Sequence, residues 1–235
     1  MASIFPFRLS WNKAAAGPEG GVVIISEFEG GKFGVGSGVL IAPNRVLTAA
    51  HVVASSSYVV ANKGRAQEVA DRYICQDSDL AVLALDYPMK SAFAKIAKER
   101  PHHRSVVMMP DLRPDNSKCT DLIDLIKAAR TSRKTSKIIL GSLINEWASV
   151  SDTKAASEKL EGIFGDTPIQ GYRLPSYHGN SGGPIFDCAT REIVSIVSAA
   201  AKLENLGTPV TFGAATSRIH TVVRDAEAYF ERNPS

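Results

Sequence analysis

The chain has 235 residues, of which 44% are hydrophobic and 22% are charged, and its formal net charge is +3. This length allows a substantial core, and the composition is ordinary for a soluble globular protein. The small net charge does not indicate nucleic acid or a membrane surface as a partner, and no apolar run approaches the ~20 residues of a membrane span.

The N-terminus and the cysteines bear on the compartment of the protein. The only apolar piece in the first 17 residues is short and is interrupted by Pro6, whereas a secretory signal needs a longer apolar core. Cys75, Cys119 and Cys188 are odd in number and lack the spacing of metal ligands, so we expect no disulfide framework, no metal and no cofactor. These features predict a cytoplasmic protein, with secretion as the alternative.

The elements predicted along the chain are mostly short strands, because apolar runs alternate with Gly, Pro, Asn and Ser. In the first half they are residues 22–25, 34–41, 46–47, 58–60 and 80–85. A linker over 90–103 leads into a second series. Its strands are residues 106–109, 138–143, 170–173, 184–186, 193–199 and 210–213.

Two segments have the apolar spacing of amphipathic helices. We expect the first, residues 120–129, to pack on the second series of strands. The other, residues 218–231, follows Ser217, which is predicted to cap it. Residues 146–166, which are rich in Ser, Ala, Lys, Glu and Gly, predict a mobile loop.

The most specific motif is HGNSGGP at residues 178–184. Ser181 stands there among glycines, which can adopt the positive φ angles of a sharply turned loop. Such a turn aims backbone N–H groups, here those of Gly179 and Ser181, at the position where an oxyanion would develop. A serine hydroxyl alone is a weak nucleophile, so a catalytic interpretation requires a base and an orienting acid elsewhere.

His51 and Asp79 are the candidates for the base and the acid. His51 ends the segment VLTAAH and Asp79 begins DLAVLAL, so each lies beside an apolar strand that can hold a side chain at a cleft. Asp77 has the same parity along an extended segment and is the alternative acid. Taken singly, these could be a flexible loop, a structural histidine and a strand cap; their joint occurrence favours catalysis.

The segments TAAH, DLAVL and GNSGGP resemble, in this order, the signature blocks of the trypsin-like (chymotrypsin-fold) serine peptidases. With an asparagine before the serine, the chain is more similar to the HtrA/Deg and glutamyl-endopeptidase branches than to the digestive enzymes. This similarity covers the protease domain only. The resemblance covers about residues 21–216. It implies an all-β fold of two six-stranded antiparallel β-barrels of the chymotrypsin type with a C-terminal helix.

The resemblance also implies how the chain is organised. An N-terminal extension would span residues 1–20, and a first barrel over 21–100 would carry His51 and Asp79. A second barrel over 101–216 would carry Ser181, and residues 217–235 would form the final helix. The 146–166 loop would then lie near the substrate channel.

The implied activity is that of a serine-type endopeptidase, a hydrolase acting on a peptide or protein substrate. His51 would take the Ser181 proton and return it to the leaving amine, while Asp79 would orient the imidazole. In digestive members, an aspartate before the nucleophile pairs with a newly freed N-terminus. Asn180 cannot form that ion pair, so we expect an active site that is folded constitutively or controlled by a regulatory protein partner.

The same resemblance suggests a substrate pocket. The substrate-binding candidates are Pro175, Ser176, His178, Ser198, Ala199 and Ala200. Because Pro175 replaces the pocket-floor aspartate of trypsin-like enzymes, we expect a small or medium apolar residue before the cleaved bond. A preference for Glu or Gln, with Ser176 and His178 as donors, is the alternative; Val197 at the histidine position of glutamate-specific relatives weakens it.

Two other functions stay open at this level. The chain could be a catalytically silent binding or scaffold protein that retains the fold, or a self-processing protease module. Intact residue types at all three catalytic positions favour the active enzyme.

Overall fold

The computed structural model describes residues 20–54, 56–60, 66–102, 105–116, 119, 121–132, 137–153, 158–202 and 209–233. In the first half of the chain its strands are β1 (Gly21–Phe28), β2 (Lys32–Ala42), β3 (Arg45–Thr48), β4 (Ser56–Val60), β5 (Ala66–Glu68), β6 (Asp71–Cys75) and β7 (Leu80–Ala84). They pair in the order β5-β4-β1-β2-β3-β7-β6, and the resulting antiparallel sheet is curled into a half-barrel.

The strands of the second half close into a barrel. They are β8 (Val106–Pro110), β9 (Ile138–Trp147), β10 (Ile169–Arg173), β11 (Pro184–Asp187), β12 (Ile193–Lys202) and β13 (Pro209–Ala214). Their order is β10-β13-β12-β11-β8-β9, and β9 closes the ring by pairing with both β8 and β10. The predicted all-β chymotrypsin-type fold is confirmed.

Over the described residues, the first sheet departs from the predicted six-stranded barrel: it has seven strands and does not close. The missed strands β5 and β6 have the sequences AQE and DRYIC, which lack the apolar alternation of a half-buried strand. Both are edge strands, each paired with one neighbour in the sheet. An edge strand needs little apolar surface, so its sequence carries a weak signal. The domain boundaries given above stay predictions, and residues 1–19 lie outside the described chain.

Strand β1 is buried on both faces. Val22 and Ile24 point into the main core, whereas Val23 and Ile25 point to the opposite side. A strand covered on both sides has an uninterrupted apolar sequence, and this accounts for the run GVVII at its start.

Helix α1 (Leu122–Ser132) covers that second face of β1, through the buried side chains of Leu125 and Ala129. The prediction that this helix packs on the second barrel is therefore wrong. Amphipathic spacing identifies an apolar face of a helix but not the surface that the face meets. After β8 the chain returns to the first sheet, and the apolar side chains of β1 and β4 provide the partner.

Helix α3 (Thr216–Arg232) confirms the predicted C-terminal helix, and it packs against β6, β7 and β12. Its N-cap is Ala215 and not Ser217, which is exposed. The buried hydroxyl of Thr216 donates to the carbonyl of Val194 at 2.7 Å, so the barrel anchors the first turn in place of a capping side chain. Among the helices that the structure describes, none is long and apolar enough to cross a membrane.

Helix α2 (Glu158–Phe164) lies within the segment predicted as a mobile loop. Its Leu160 and Phe164 are buried against the second barrel, in a cluster that includes Phe212. Seven residues are too few to show a clear helical period in the sequence, which is why the element was missed.

We expect the burial of α3 to contribute measurably to stability. Ile219 is completely buried, whereas Ile123 on α1 is 63% exposed. Ile219→Ala should lower the free energy of unfolding by about 2–5 kcal/mol through lost burial and a residual cavity. Ile123→Ala, a matched change on a helix surface, should stay within about 0.5 kcal/mol of the wild type. Urea unfolding followed by circular dichroism measures both, and equal losses would contradict the docking of α3.

Candidate active site

His51 and Asp79 are brought together by two short turns of the first half. His51 lies in a 3-10 turn (Ala50–Val52) after β3, and Asp79 ends another (Gln76–Ser78) before β7. The imidazole Nδ1 lies 2.8 Å from Asp79 Oδ2 and 3.0 Å from Oδ1. The backbone N–H of His51 also donates to Oδ1 at 2.9 Å, so both ring and backbone of His51 hold the carboxylate in place.

Asp79 occupies an uncommon backbone conformation, with φ 49° in the left-handed region. Aspartate enters this region more readily than most residues, and such positions concentrate at functional sites. Its carboxylate is 6% exposed. Asp77, the alternative acid, is exposed, and its backbone carbonyl accepts a hydrogen bond from Thr167. The structure therefore pairs Asp79, and not Asp77, with His51.

The serine turn, residues 178–184, belongs to the second half of the chain and carries Ser181. Gly179 has φ +91° and Gly182 has φ +78°, both in the region that favours glycine. The N–H groups of Gly179 and Ser181 donate no hydrogen bond to any residue that the structure describes. They are thus available to an incoming oxygen, as an oxyanion site requires.

This turn rests directly on strands β2 and β3 of the first sheet. The Ser37 N–H donates to the Ser181 carbonyl at 2.8 Å, and the Ser37 hydroxyl donates to the Gly179 carbonyl at 2.7 Å. A Cβ added to Gly182 would lie 2.1 Å from Thr48 Oγ1 and 2.2 Å from the Ser37 carbonyl. Only a glycine permits so close an approach, and the contact joins the two halves of the chain at the serine.

A cavity of about 850 Å³ opens between the two halves and has both His51 and Ser181 in its lining. No hydrogen bond joins these two side chains in the described part of the chain. Catalytic hydrogen bonds are often long before substrate binds and tighten in the complex. The predicted pocket residues that line the cavity are Ser176, His178, Ser198, Ala199 and Ala200; Pro175 is exposed and is not among its lining residues.

The hydroxyls of the pocket wall differ in their availability. Ser176 Oγ lies 2.9 Å from Thr211 Oγ1, and the Thr211 hydroxyl also bonds to the Leu174 carbonyl. Thr211 is the donor to Ser176 Oγ, so this contact does not use the Ser176 proton. Ser198 Oγ is buried and has no hydrogen-bond partner among the described residues.

Asn180 is 1% exposed and is anchored from outside the turn. Its side-chain NH₂ donates to Asp111 Oδ1 at 3.1 Å, and its Oδ1 accepts the Tyr177 N–H at 3.0 Å. Asp111 in turn accepts two hydrogen bonds from the Arg113 guanidinium, at 2.6 and 2.7 Å. These bonds from Arg113 lower the pKa of the Asp111 carboxyl; partial burial opposes the lowering, and Asn180 adds to it.

No group of three or more His, Cys, Asp or Glu side chains that could hold a metal ion exists within the described ranges. The arrangement thus consists of a hydroxyl and an imidazole that line one cavity, a carboxylate bonded to that imidazole, and two N–H groups of the serine turn that have no acceptor among the described residues.

Comparison with known families shows to which of them the chain belongs. The model of the trypsin-like peptidase domain matches residues 36–196, a range that contains His51, Asp79 and Ser181. The chain belongs to the trypsin-like peptidases. It is a serine-type peptidase.

Solved structures of proteases resemble this trypsin-like peptidase in fold. The active form of the Rv3671c protease from M. tuberculosis is 20% identical, with a TM-score of 0.66, over 95% of this chain and 87% of that chain. Its inactive form is 19% identical, with a TM-score of 0.63, over 96% and 98%. The serine endoprotease from Yersinia pestis is 18% identical, with a TM-score of 0.60, over 88% and 64%. Comparison with curated protein sequences gives no match.

Several residues around the site of this peptidase were missed in the sequence. Ser37 stands in GVGSGV and Thr48 in the TAAH segment, where neighbouring motifs could have drawn attention to them. Asp111 and Arg113 follow β8 in a segment without any motif. Ile163 of α2 lines the cavity, and its helix was itself missed.

We predict that the serine turn tolerates no side chain at Gly182. Gly30 has nearly the same φ, +79°, but nothing within 4 Å of an added Cβ. Gly30→Ala should therefore lower the free energy of unfolding only by the ~1–2 kcal/mol of a left-handed alanine. Gly182→Ala adds the collision with Ser37 and Thr48, and should lose on the order of 3 kcal/mol or more. Thermal and urea unfolding compare the two variants, and equal effects would show that the turn is not packed this closely.

Proposed function

We propose that the chain is a serine endopeptidase whose catalytic residues are His51, Asp79 and Ser181, with the N–H groups of Gly179 and Ser181 as the oxyanion site. The observation that carries the proposal is the double contact of His51 with Asp79 at the edge of the cavity that Ser181 also lines. Peptides or proteins are the substrates, and no cofactor is required.

The contact with Asp79 sets the state of the imidazole. A carboxylate only accepts hydrogen bonds, so the His51 proton resides on Nδ1 and the lone pair of Nε2 is left for the cavity. Nε2 then removes the Ser181 proton as Ser181 Oγ attacks the scissile carbonyl. Asp79 stabilises the imidazolium that forms, and it can do so without moving because the His51 backbone also holds it.

The negative charge of the tetrahedral intermediate develops on the former carbonyl oxygen. The Gly179 and Ser181 N–H groups, fixed by the turn, would receive this oxygen. His51 then gives its proton to the leaving amine, which departs with the C-terminal part of the substrate. Water, activated in turn by His51, hydrolyses the acyl group on Ser181 and regenerates the enzyme.

We expect labelling by a fluorophosphonate probe to depend on the serine. The wild type should react covalently at Ser181, and Ser181→Ala should lose labelling and nearly all peptidase activity, leaving at most the ~10³–10⁴-fold over water that other parts of such sites supply. Ser217→Ala, at an exposed position of α3, serves as the matched control and should label normally. Gel fluorescence and a peptide cleavage assay measure these outcomes. Folded wild-type protein that stays unlabelled would favour the silent scaffold.

The proposed specificity is for a small or medium apolar residue before the cleaved bond. No Asp or Glu lines the cavity within the described ranges, so a Lys or Arg side chain would find no counter-charge there. Arg113 does line it, but Asp111 already neutralises this guanidinium. Val197, Ala199 and Ala200 supply the apolar surface.

We expect substitution of Ala200 to narrow the pocket. The wild-type enzyme should cleave a peptide library after Ala, Val and similar residues in preference to Lys, Arg and Glu. Ala200→Leu should reduce kcat/KM for Val and Leu peptides relative to Ala peptides by about 10-fold or more, since one or more methylenes are excluded from the site. Mass spectrometry of the digested library gives the ratios. A dominant preference for Glu or for Lys and Arg would contradict this specificity.

A further inference from the structure

Asp111 stands directly after β8, on a segment that no active-site motif includes. Its backbone N–H donates to the Lys137 carbonyl at 2.8 Å, so the start of the connection is tied to the beginning of β9. Its side chain is 18% exposed and points at the serine turn. A carboxylate so placed acts on the serine turn, and it is not among the residues that line the cavity with His51 and Ser181.

The contacts of Asp111 belong to a closed ring of four residues. Asp111 accepts from Asn180 and from Arg113, and the Arg113 guanidinium lies 4.5 Å from the centre of the Tyr177 ring. The ring closes where the Tyr177 N–H donates to Asn180 Oδ1. Charge-assisted and cation–π contacts of this kind fix geometry because both the fork of the guanidinium and the aromatic face are directional.

The ring lies against the turn that carries the Gly179 N–H. Asn180 N–H donates to the Tyr177 carbonyl at 2.9 Å, which makes residues 177–180 a turn with Gly179 inside it. Arg113 Cγ lies 3.0 Å from the position of a Cβ on Gly179. From the other side, the Ser37 hydroxyl holds the Gly179 carbonyl. The turn is therefore fixed by the first sheet on one side and by the Asp111 ring on the other.

We propose that Asp111 is a positioning residue of the peptidase: through Asn180 and Arg113 it holds the 177–180 turn in the conformation that directs the Gly179 N–H at the oxyanion. The inference rests on the proposed catalytic function of this site. It also explains why the site would be folded constitutively. The carboxylate of Asp111, rather than a newly freed N-terminus, anchors Asn180, the residue before the nucleophile.

A swap of the two side chains tests the proposal. Asn180→Asp places two carboxylates against each other, so the turn should shift. Asp111→Asn keeps one hydrogen bond to Asn180 but loses the ion pair with Arg113. The double variant Asp111→Asn with Asn180→Asp restores a carboxylate–amide bond with its polarity reversed, and the new carboxylate at position 180 can still accept the Tyr177 N–H. Asp225→Asn, which breaks the exposed Arg224–Asp225 pair on α3, is the matched control.

The readouts separate positioning from general stability. Because a lost oxyanion donor typically lowers kcat by about 10²–10³, we expect Asn180→Asp to lower kcat at least ~10-fold with KM changed less than ~3-fold. The double variant should recover most of that loss, while Asp225→Asn behaves as the wild type. Affinity for a peptide boronate, whose tetrahedral adduct uses the oxyanion site, should fall in parallel with kcat, whereas affinity for the cleaved product peptide should not.

The outcomes keep the two proposals distinct. A wild type that neither cleaves peptides nor takes up the fluorophosphonate ends the proposed function itself. An active wild type with folded Asn180→Asp and Asp111→Asn variants of undiminished kcat overturns the role of Asp111 alone. So does a folded double variant no better than Asn180→Asp. If Asp111→Asn does not fold, the comparison of Asn180→Asp with the double variant still decides.

Discussion

The packing of the serine turn on strand β2 is the contact on which the site depends. Ser37 donates one hydrogen bond from its backbone and one from its hydroxyl to carbonyls of the turn, and Gly182 lies against Ser37 and Thr48 with no room for a side chain. Backbone groups have fixed directions, so these contacts define where the serine of the second barrel stands relative to the histidine of the first sheet. Among the described residues no hydrogen bond joins the His51 and Ser181 side chains, so these backbone contacts are what hold the two residues on facing sides of the cavity.

The histidine is held with comparable precision on its own side. Asp79 adopts a left-handed conformation that typically costs about 1–2 kcal/mol for a non-glycine residue. Its N–H donates to the Gln76 carbonyl and its carbonyl accepts from the Ala50 N–H, so local hydrogen bonds offset the strain. The result is a carboxylate that meets both the ring and the backbone of His51. In the proposed mechanism, such pre-organisation favours electrostatic stabilisation, since Asp79 need not reorganise during the reaction.

Much of the fold could be predicted from the sequence, and the exceptions have physical reasons. Strands with strong apolar runs, such as β1 and β7, were found because burial on one or both faces forces that pattern. The edge strands β5 and β6 were missed because an edge strand needs little apolar surface, so its sequence carries a weak pattern. Helix α1 was found but given the wrong neighbour, since its apolar face fits any apolar surface, and only the path of the chain after β8 brings it to β1.

What the sequence by itself determined is the chemistry and its order along the chain: a serine among glycines, a histidine and an aspartate beside apolar strands, and the family to which these segments belong. The tertiary structure alone decided which aspartate meets His51, that Thr211 donates to Ser176, and that Asp111, held by Arg113, accepts from Asn180. Periodicity and short motifs report on neighbours within a few residues, because they arise from local backbone geometry. Contacts of the serine turn with β2 and with the segment after β8 join residues far apart in sequence, and they exist only once the chain has folded.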